Sequence, residues 1–168
     1  MAAKSNIVLI GMPGSGKSTV GVLLAKVTGK GFVDTDLLIQ SSAGCTLQEI
    51  VNTQGYEALR DEEERVLSAL AMSDHVIATG GSAVYSGKAM AYLKQDSVIV
   101  FLDVSLECVR ERIGDFSLRG ISKRPDQTLE DLFRERLGLY QHYADLTVDG
   151  DKRTQQQVCD AVLASLDT

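Results

Sequence analysis

Short, wholly apolar runs alternate along the chain with longer segments in which apolar residues recur every three or four positions. The runs 7–10 and 98–102 hold no polar residue, which is typical of strands covered on both faces of a parallel sheet. Further strands are predicted at 32–33, 75–79 and 146–148, and helices at 18–27, 37–41, 54–72, 105–112 and 128–143, with two more that open at 47 and 154. This alternation predicts an α/β fold: a three-layer, doubly wound sheet of five parallel strands.

The composition favours one globular domain, which we expect to span 1–168. Hydrophobic residues make up 44% of the chain and charged residues 24%. The net charge of −6 disfavours nucleic acid as a partner, because a phosphate backbone requires a basic face. The first apolar run, of about five residues, is too short for a signal peptide or a membrane span. Three scattered cysteines indicate free thiols in a reducing compartment, so we expect a cytoplasmic protein. We also expect a monomer that binds neither nucleic acid nor membrane.

A glycine-rich loop follows the first predicted strand. Residues 11–18 read Gly-Met-Pro-Gly-Ser-Gly-Lys-Ser and match the phosphate-binding pattern G-x-x-x-x-G-K-[ST]. Gly14 and Gly16 allow backbone N–H groups to curl around a polyphosphate, and the following helix directs its positive end at the same anion. Lys17 supplies a charge for the β- and γ-phosphates, and the Ser18 hydroxyl is suited to Mg²⁺. The loop therefore predicts binding of a nucleoside triphosphate with Mg²⁺.

Two carboxylates follow the second predicted strand. Asp34 and Asp36 stand at the carboxyl end of that strand, where a parallel sheet opens its ligand crevice near the glycine-rich loop. One of them could hold Mg²⁺ with Ser18 while the other accepts a proton from an attacking hydroxyl group. The alternative is that Asp36 caps the next helix, which is a common role of aspartate.

Other candidate residues have plain structural interpretations when each is taken alone. Arg60 lies in a predicted helix rich in acidic residues, which we interpret as a solvated, salt-bridged face. Gly80 and Gly81 follow the third strand, where glycines permit either a tight turn or the close approach of a ligand. Arg136 could be a surface charge. The segment 114–127 fits neither helix nor strand periodicity, and so long a loop in a compact domain is more often functional than idle.

Taken together, these segments resemble one family, the shikimate kinases among the P-loop small-molecule kinases. The matching segments are 11–19, 34–36, 59–63 with Arg60, 80–84 and 135–140, and 143–148 resembles the family's last strand. The resemblance spans nearly the whole chain. It implies ATP and Mg²⁺ as cofactors and a small-molecule carboxylate as substrate. The reaction that it implies is transfer of the γ-phosphoryl group of ATP to the 3-hydroxyl group of shikimate, a step in aromatic amino-acid biosynthesis.

The resemblance also implies a role for each matching residue. Catalysis would involve Lys17, Arg119 and Asp36, the last as general base or as the group that orients the acceptor hydroxyl. The residues expected at the nucleotide are Gly11, Gly14, Ser15, Gly16, Lys17, Ser18, Thr19, Arg119 and, on a weaker match, Arg153. Those expected at the acceptor are Asp36, Arg60, Gly80, Gly81, Ser82 and Arg136, and those at Mg²⁺ are Ser18 and Asp34. The substrate-binding region would cover about 34–62, and about 114–127 would form a mobile lid.

Two parts of the chain depart from the family pattern. Ser82 stands where the family usually has a third glycine. The segment 114–127 lacks the usual Arg-Pro-Leu-Leu, so Arg119, which lies nearer the expected position, or Arg124, which keeps the proline, could supply the lid arginine. The nearest alternative function is therefore a kinase of another hydroxy acid, gluconate-like or homoserine-like. A nucleoside monophosphate kinase and a catalytically silent, nucleotide-binding regulatory module are further alternatives.

Overall fold

The computed structural model describes residues 3–114 and 120–168 and contains a sheet of five parallel strands. The strands are β1 (Asn6–Ile10), β2 (Gly31–Asp34), β3 (His75–Ala78), β4 (Ser97–Asp103) and β5 (Leu146–Asp149). Their order across the sheet is β2-β3-β1-β4-β5. In the register, Leu9 of β1 lies beside Ala78 of β3 on one side and Val100 of β4 on the other. The predicted doubly wound parallel sheet is confirmed.

Helices connect the strands and cover both faces of the sheet. They are α1 (Lys17–Thr28), α2 (Thr35–Ala43), α3 (Leu47–Gln54), α4 (Tyr56–Ser68), α5 (Gly87–Lys94), α6 (Leu106–Ile113), α7 (Leu129–Tyr143) and α8 (Gln155–Leu166). Capping boxes at Thr46, Thr128 and Thr154 satisfy the first N–H groups of α3, α7 and α8. Among the described residues, no helix is long and apolar enough to cross a lipid bilayer.

One helix prediction had wrong bounds, and one helix was not predicted. The predicted helix 54–72 begins at Tyr56, because Gly55 takes a φ of +93° and separates α3 from α4, and it ends at Ser68. The sequence pattern also missed α5, which begins behind the cap residue Ser86. A helix of only eight residues that opens on Gly87 gives a weak periodic signal, because glycine is a poor helix former.

The strands bury alternate side chains in two separate apolar clusters. In β1, Val8 and Ile10 face the cluster formed with α4, α5 and α7, whereas Ile7 and Leu9 face the cluster formed with α1 and α8. This alternation follows from the two-residue period of a strand, and burial on both sides explains why the strand carries no polar residue after Asn6. The three-layer architecture is therefore confirmed. Cys159 is buried in the second cluster, and the three cysteines are free thiols, as predicted.

A third, smaller cluster supports the segment beside the sheet. Ile39 of α2, Ile50 of α3, and Leu59 and Val66 of α4 pack together there, next to the carboxyl end of β2. The order of strands reverses beside β1, since the chain goes from β1 to the β2 edge and later returns to β4. In doubly wound sheets the crevice at such a switch point is the usual ligand site. The loops after β1, β2 and β3 open into this crevice.

Candidate active site

The loop after β1 is shaped as a binding surface for an anion. Gly16, the residue before α1, has a φ of +99°, which a residue with a side chain adopts only with strain. No side chain of the described residues caps α1, so its first N–H groups are directed toward the loop. Gly14 also takes a positive φ, of +78°. The backbone of 11–18 therefore presents N–H donors and the positive end of a helix to the crevice.

Lys17 is buried at the start of α1. Its ammonium group donates to the carbonyl oxygens of Gly11 at 2.7 Å and Met12 at 2.8 Å, and approaches the Ser15 hydroxyl at 3.4 Å. Burial lowers the pKa of Lys17 to about 8, against the opposing attraction of Asp36. Main-chain oxygens thus hold the side chain against the loop. Near pH 8 the ammonium group is protonated in only about half of the molecules.

The two aspartates at the end of β2 make different contacts. Asp34 accepts a hydrogen bond from the Ser18 hydroxyl at 2.8 Å through one carboxylate oxygen and one from the backbone N–H of Asp36 at 2.9 Å through the other. Asp34 is therefore the cap of α2, and the alternative that Asp36 serves this purpose is wrong. The carboxylate of Asp36 lines the cavity instead, and burial, followed by repulsion from Asp34, raises its pKa.

Ser18 and Asp34 provide oxygen ligands that fit Mg²⁺. A magnesium ion bound with a nucleotide usually takes one or two protein oxygens and completes its shell with phosphate and water. The hydroxyl of Ser18 and a carboxylate of Asp34 are already in contact beside the P-loop. Within 3–114 and 120–168 no group of three or more His, Cys, Asp or Glu side chains could hold a metal by itself. The donor set is thus suited to an ion that arrives with a nucleotide.

Gly80 lies between two carboxylates where the chain leaves β3. A Cβ atom on Gly80 would lie 2.6 Å from Oδ1 of Asp36 and 2.6 Å from Oε2 of Glu63, so no side chain fits there. At Gly81 a Cβ atom would lie 2.6 Å from Nη1 of Arg136. The Gly81 carbonyl accepts a hydrogen bond from the Tyr140 hydroxyl at 2.6 Å. Both glycines are therefore needed for a close approach of backbone to functional side chains.

Ser82, the residue after the paired glycines, lies in the wall of the cavity. The Ser82 hydroxyl lines the cavity but donates to Oε1 of Glu63. Glu63 is 3% exposed, and burial raises its pKa to about 7 despite the hydrogen bond from Ser82. The interpretation of the acidic residues of α4 as a solvated face is wrong for Glu63. Its spacing was the available signal, because it follows Leu59 by four positions and precedes Leu67 by four.

Two arginines converge on one oxygen atom at the far end of the cavity. Arg60 donates to the Ser122 carbonyl at 3.2 Å and to the Ser122 hydroxyl at 2.7 Å. Arg136, which is 1% exposed, donates to the same carbonyl at 2.8 Å. Among the described residues neither guanidinium forms an ion pair with a carboxylate within 4 Å. A buried cation with this geometry is suited to an anionic ligand.

Two other predicted arginines, Arg153 and Arg124, do not line this cavity. Arg153 is exposed and does not line it. Arg124 is exposed on its own segment and pairs with Glu135 at 3.2 Å. Arg119 lies outside the described residues. Gln155 was not predicted from the sequence. Its side chain reaches within 2.6 Å of the position of a Cβ on Gly16 and lines the cavity.

The cavity between the P-loop and the arginines has a volume of about 400 Å³. The residues predicted for function that line it are Gly14, Gly16, Lys17, Ser18, Thr19, Asp36, Gly80, Gly81, Ser82 and Arg136. Gly11 and Ser15 lie behind Lys17, and Arg60 adjoins through Ser122. One wall thus suits a polyphosphate and the other a small carboxylate, an arrangement that defines the class of P-loop small-molecule kinases.

Comparison with known proteins narrows this class. The family model for shikimate kinase matches residues 13–167. The shikimate kinases of Mycobacterium marinum and Histophilus somni are 38% and 32% identical, over 99% of this chain and 91% and 98% of theirs. The chain belongs to the shikimate kinase family.

Solved structures agree with that assignment. The shikimate kinase from Acinetobacter baumannii in complex with shikimate has a TM-score of 0.89 at 30% identity, covering 96% of this chain and 92% of that one. The enzyme from Aquifex aeolicus has a TM-score of 0.83 at 34% identity, covering 96% of each chain. A gluconokinase from Sinorhizobium meliloti, with a TM-score of 0.51 at 20% identity over 99% of this chain and 94% of that one, shows the fold alone.

Proposed function

We propose that this protein transfers the γ-phosphoryl group of ATP to the 3-hydroxyl group of shikimate. The observation that carries the proposal is that the P-loop, Asp36 and Arg136 line one and the same cavity, with Arg60 adjoining. A ligand that carries both a carboxylate and a hydroxyl group would present the hydroxyl to Asp36 when the arginines hold its carboxylate. Membership in the shikimate kinase family, together with the shikimate complex of the A. baumannii relative, supports the identity of the acceptor.

The P-loop wall would bind the nucleotide. The backbone of 11–16 and the first turn of α1 would hold the phosphates, with Thr19 on the same wall. Lys17 would exchange its contacts with the loop carbonyls for the β- and γ-phosphates. Ser18 and Asp34 would hold Mg²⁺, which when bound neutralises negative charge on the phosphates.

Asp36 would orient the acceptor hydroxyl and receive its proton. As the hydroxyl oxygen bonds to the γ-phosphorus, the bond from that phosphorus to the bridging oxygen of ADP breaks. The proton of the hydroxyl passes to the carboxylate of Asp36. Burial raises the pKa of Asp36, which brings this carboxyl closer to the proton affinity that a base needs near neutral pH.

The arginines and glycines would fix the acceptor. Arg60 and Arg136 would bind its carboxylate through their N–H forks, because both already donate to one oxygen atom. The backbone of Gly80 and Gly81 would touch the ring hydroxyls, since the absence of side chains leaves that surface open to the cavity. Ser82 would act through Glu63 rather than on the acceptor directly.

The segment 114–127 would close over the cavity and exclude water, which protects ATP from hydrolysis. Arg119 stays the proposed lid arginine that reaches the transferring phosphate. The pairing of Arg124 with Glu135 supports this choice, because it commits the competing arginine to the surface of α7. Arg153 would contribute at the rim of the nucleotide site.

The test is a coupled ADP-release assay with ATP, Mg²⁺ and one acceptor at a time. The acceptors are shikimate, gluconate and homoserine, with a reaction that lacks acceptor as the control. We expect ADP release that depends on shikimate and a product in which the 3-hydroxyl is phosphorylated, identified by ³¹P and ¹H NMR. ADP release only with gluconate or homoserine would move the protein to another hydroxy acid, and none with any acceptor would favour the regulatory module.

A further inference from the structure

We propose that Tyr85 is a positioning residue of the acceptor site that holds Arg60 and Arg136 in convergence on the acceptor carboxylate. The proposal rests on the proposed function, since it names what orients the two arginines of that site. Tyr85 ends the short 3₁₀ turn Ala83–Tyr85 that follows the paired glycines.

The guanidinium group of Arg60 lies over the ring of Tyr85. The central carbon of that guanidinium lies 3.7 Å from the ring centroid of Tyr85 and 4.9 Å from that of Tyr56. A cation over an aromatic face is attracted by the ring quadrupole, and the attraction grows as water is removed. Among the described residues no carboxylate pairs with Arg60 within 4 Å, so its orientation depends on the rings of Tyr85 and Tyr56 and on its hydrogen bonds to Ser122. The ring of Tyr85 is the nearer of the two.

The hydroxyl of Tyr85 fixes the other arginine. It accepts a hydrogen bond from Nε of Arg136 at 3.3 Å and donates one to Oε1 of Glu135 at 2.7 Å. A phenol can do both at once, because its oxygen has lone pairs as well as a proton. Glu135 thereby orients the hydroxyl so that its lone pair faces Arg136. A single side chain thus contacts both cations, one through its ring and one through its oxygen.

The convergence itself is visible at Ser122. The Nη2 atoms of Arg60 and Arg136 both donate to the Ser122 carbonyl, at 3.2 and 2.8 Å. Two like charges that share one acceptor atom repel each other, so their approach needs a group that stabilises both. Tyr85 meets this need, because the centroid of its ring is also 5.4 Å from the guanidinium carbon of Arg136.

Packing alone does not explain Tyr85. It is half-buried and belongs to none of the apolar clusters formed by the described residues. Its specific contacts are with Arg60, Arg136 and Glu135. A leucine of similar size would fill the space without either the ring face or the hydroxyl group.

The experiment compares Tyr85→Leu, Tyr85→Phe and the matched control Tyr92→Leu, which makes the same change on α5 away from the cavity. For Tyr85→Leu we expect the KM for shikimate to rise about tenfold, with the KM for ATP unchanged and kcat within about twofold. Tyr85→Phe keeps the ring, so its KM for shikimate should rise only about threefold. Tyr92→Leu should leave all three constants as in the wild type.

A double-mutant cycle separates this role from a structural one. If Tyr85 acts through Arg60, Tyr85→Leu should lose most of its effect on kcat/KM for shikimate in the Arg60→Ala background. Effects that simply multiply, or a Tyr85→Leu variant with the wild-type KM, would overturn the role of Tyr85 while shikimate-dependent turnover of the wild type leaves the proposed function intact. Absence of that turnover in the wild type would reject both.

Discussion

The two ends of the cavity are built in different ways. The nucleotide end is one continuous stretch, 11–19, in which main-chain groups and a helix terminus form the surface. The acceptor end is assembled from side chains on α4, α7 and the loop that follows β3, with Ser122 between them. A site made of backbone follows from local sequence, whereas a site made of distant side chains depends on how the chain packs.

The difference extends to the charges that each end uses. The nucleotide end has a lysine whose pKa is lowered by burial to about 8, so its charge depends on pH. The acceptor end has arginines, which stay charged throughout the range in which proteins are folded. Glu63, with a pKa raised by burial to about 7, is a titrating group beside the acceptor end. A substitution at one end of the cavity should therefore leave ligand binding at the other end undisturbed.

The largest expected effect is at the nucleotide end. Lys17→Met removes the charge that would follow the transferring phosphoryl group but keeps the volume of the side chain. We expect kcat to fall by about 10³-fold or more, because catalysis of phosphoryl transfer consists mainly of charge stabilisation. The thermal midpoint should not fall, since a buried cation that pays a desolvation penalty is removed. Steady-state kinetics and thermal unfolding measure the two quantities.

A kcat close to that of the wild type would contradict the proposed catalytic role of Lys17. A large drop in the thermal midpoint would instead show that the ammonium holds the P-loop together through the carbonyls of Gly11 and Met12. The KM for shikimate is the internal control, because the arginines lie at the other end of the cavity.

The complementary experiment changes the acceptor end of the cavity with the substitution Arg136→Lys. It keeps a positive charge but removes the planar fork that donates to Ser122 and Tyr85. We expect the KM for shikimate to rise about 30- to 100-fold while the KM for ATP changes less than about twofold. Arg134→Lys is the matched control, because Arg134 lies two positions away on α7 and is 72% exposed in its side chain. Equal losses for both substrates would contradict a division of the cavity into two ends.

The sequence predicted the nucleotide end of the cavity better than the acceptor end. The sheet, its parallel strands and the P-loop follow from apolar runs and from one contiguous motif, so local pattern was sufficient. Arg60 and Arg136 were found only through the family resemblance, because the residues around a charged position in a helix do not show whether that position is buried. Glu63 was missed since its acidic neighbours suggested a solvated face, although its position on the apolar stripe of α4 indicated burial. Tyr85 and Ser122 could not be predicted, because their partners are far away in the sequence.

A third prediction concerns Glu63 and the stability of the fold. Its pKa is raised from 4.5 to about 7, so between these values the unfolded chain loses the proton while the folded protein keeps it. Wild-type stability should therefore fall as pH rises through this window, by up to about 3 kcal/mol. Glu63→Gln cannot titrate, so relative to wild type it should gain stability from pH 4.5 to pH 7 and level off above.

Urea unfolding at pH 4.5, 6 and 8 measures this difference. Glu64→Gln is the matched control, because it makes the same change one position along α4 at a side chain that is only partly buried. A stability difference between Glu63→Gln and wild type that stays constant with pH would contradict the assignment of a neutral, buried carboxyl to Glu63.

The smallest expected effect distinguishes the two ends by pH alone. Lys17 has a pKa of about 8, and a polyanion binds its charged form. Between pH 8 and pH 9.5 the protonated fraction falls from about one half to a few per cent, so the Kd for ATP should rise about tenfold. The Kd for shikimate should stay nearly constant, because the arginines and the acceptor carboxylate keep their charges over this range. Isothermal titration calorimetry of each ligand, in buffers of different ionisation enthalpy, should also detect proton uptake with ATP at pH 8.5 and none with shikimate. Equal pH dependence for the two ligands would mean that the lysine and the arginines do not divide the cavity between them.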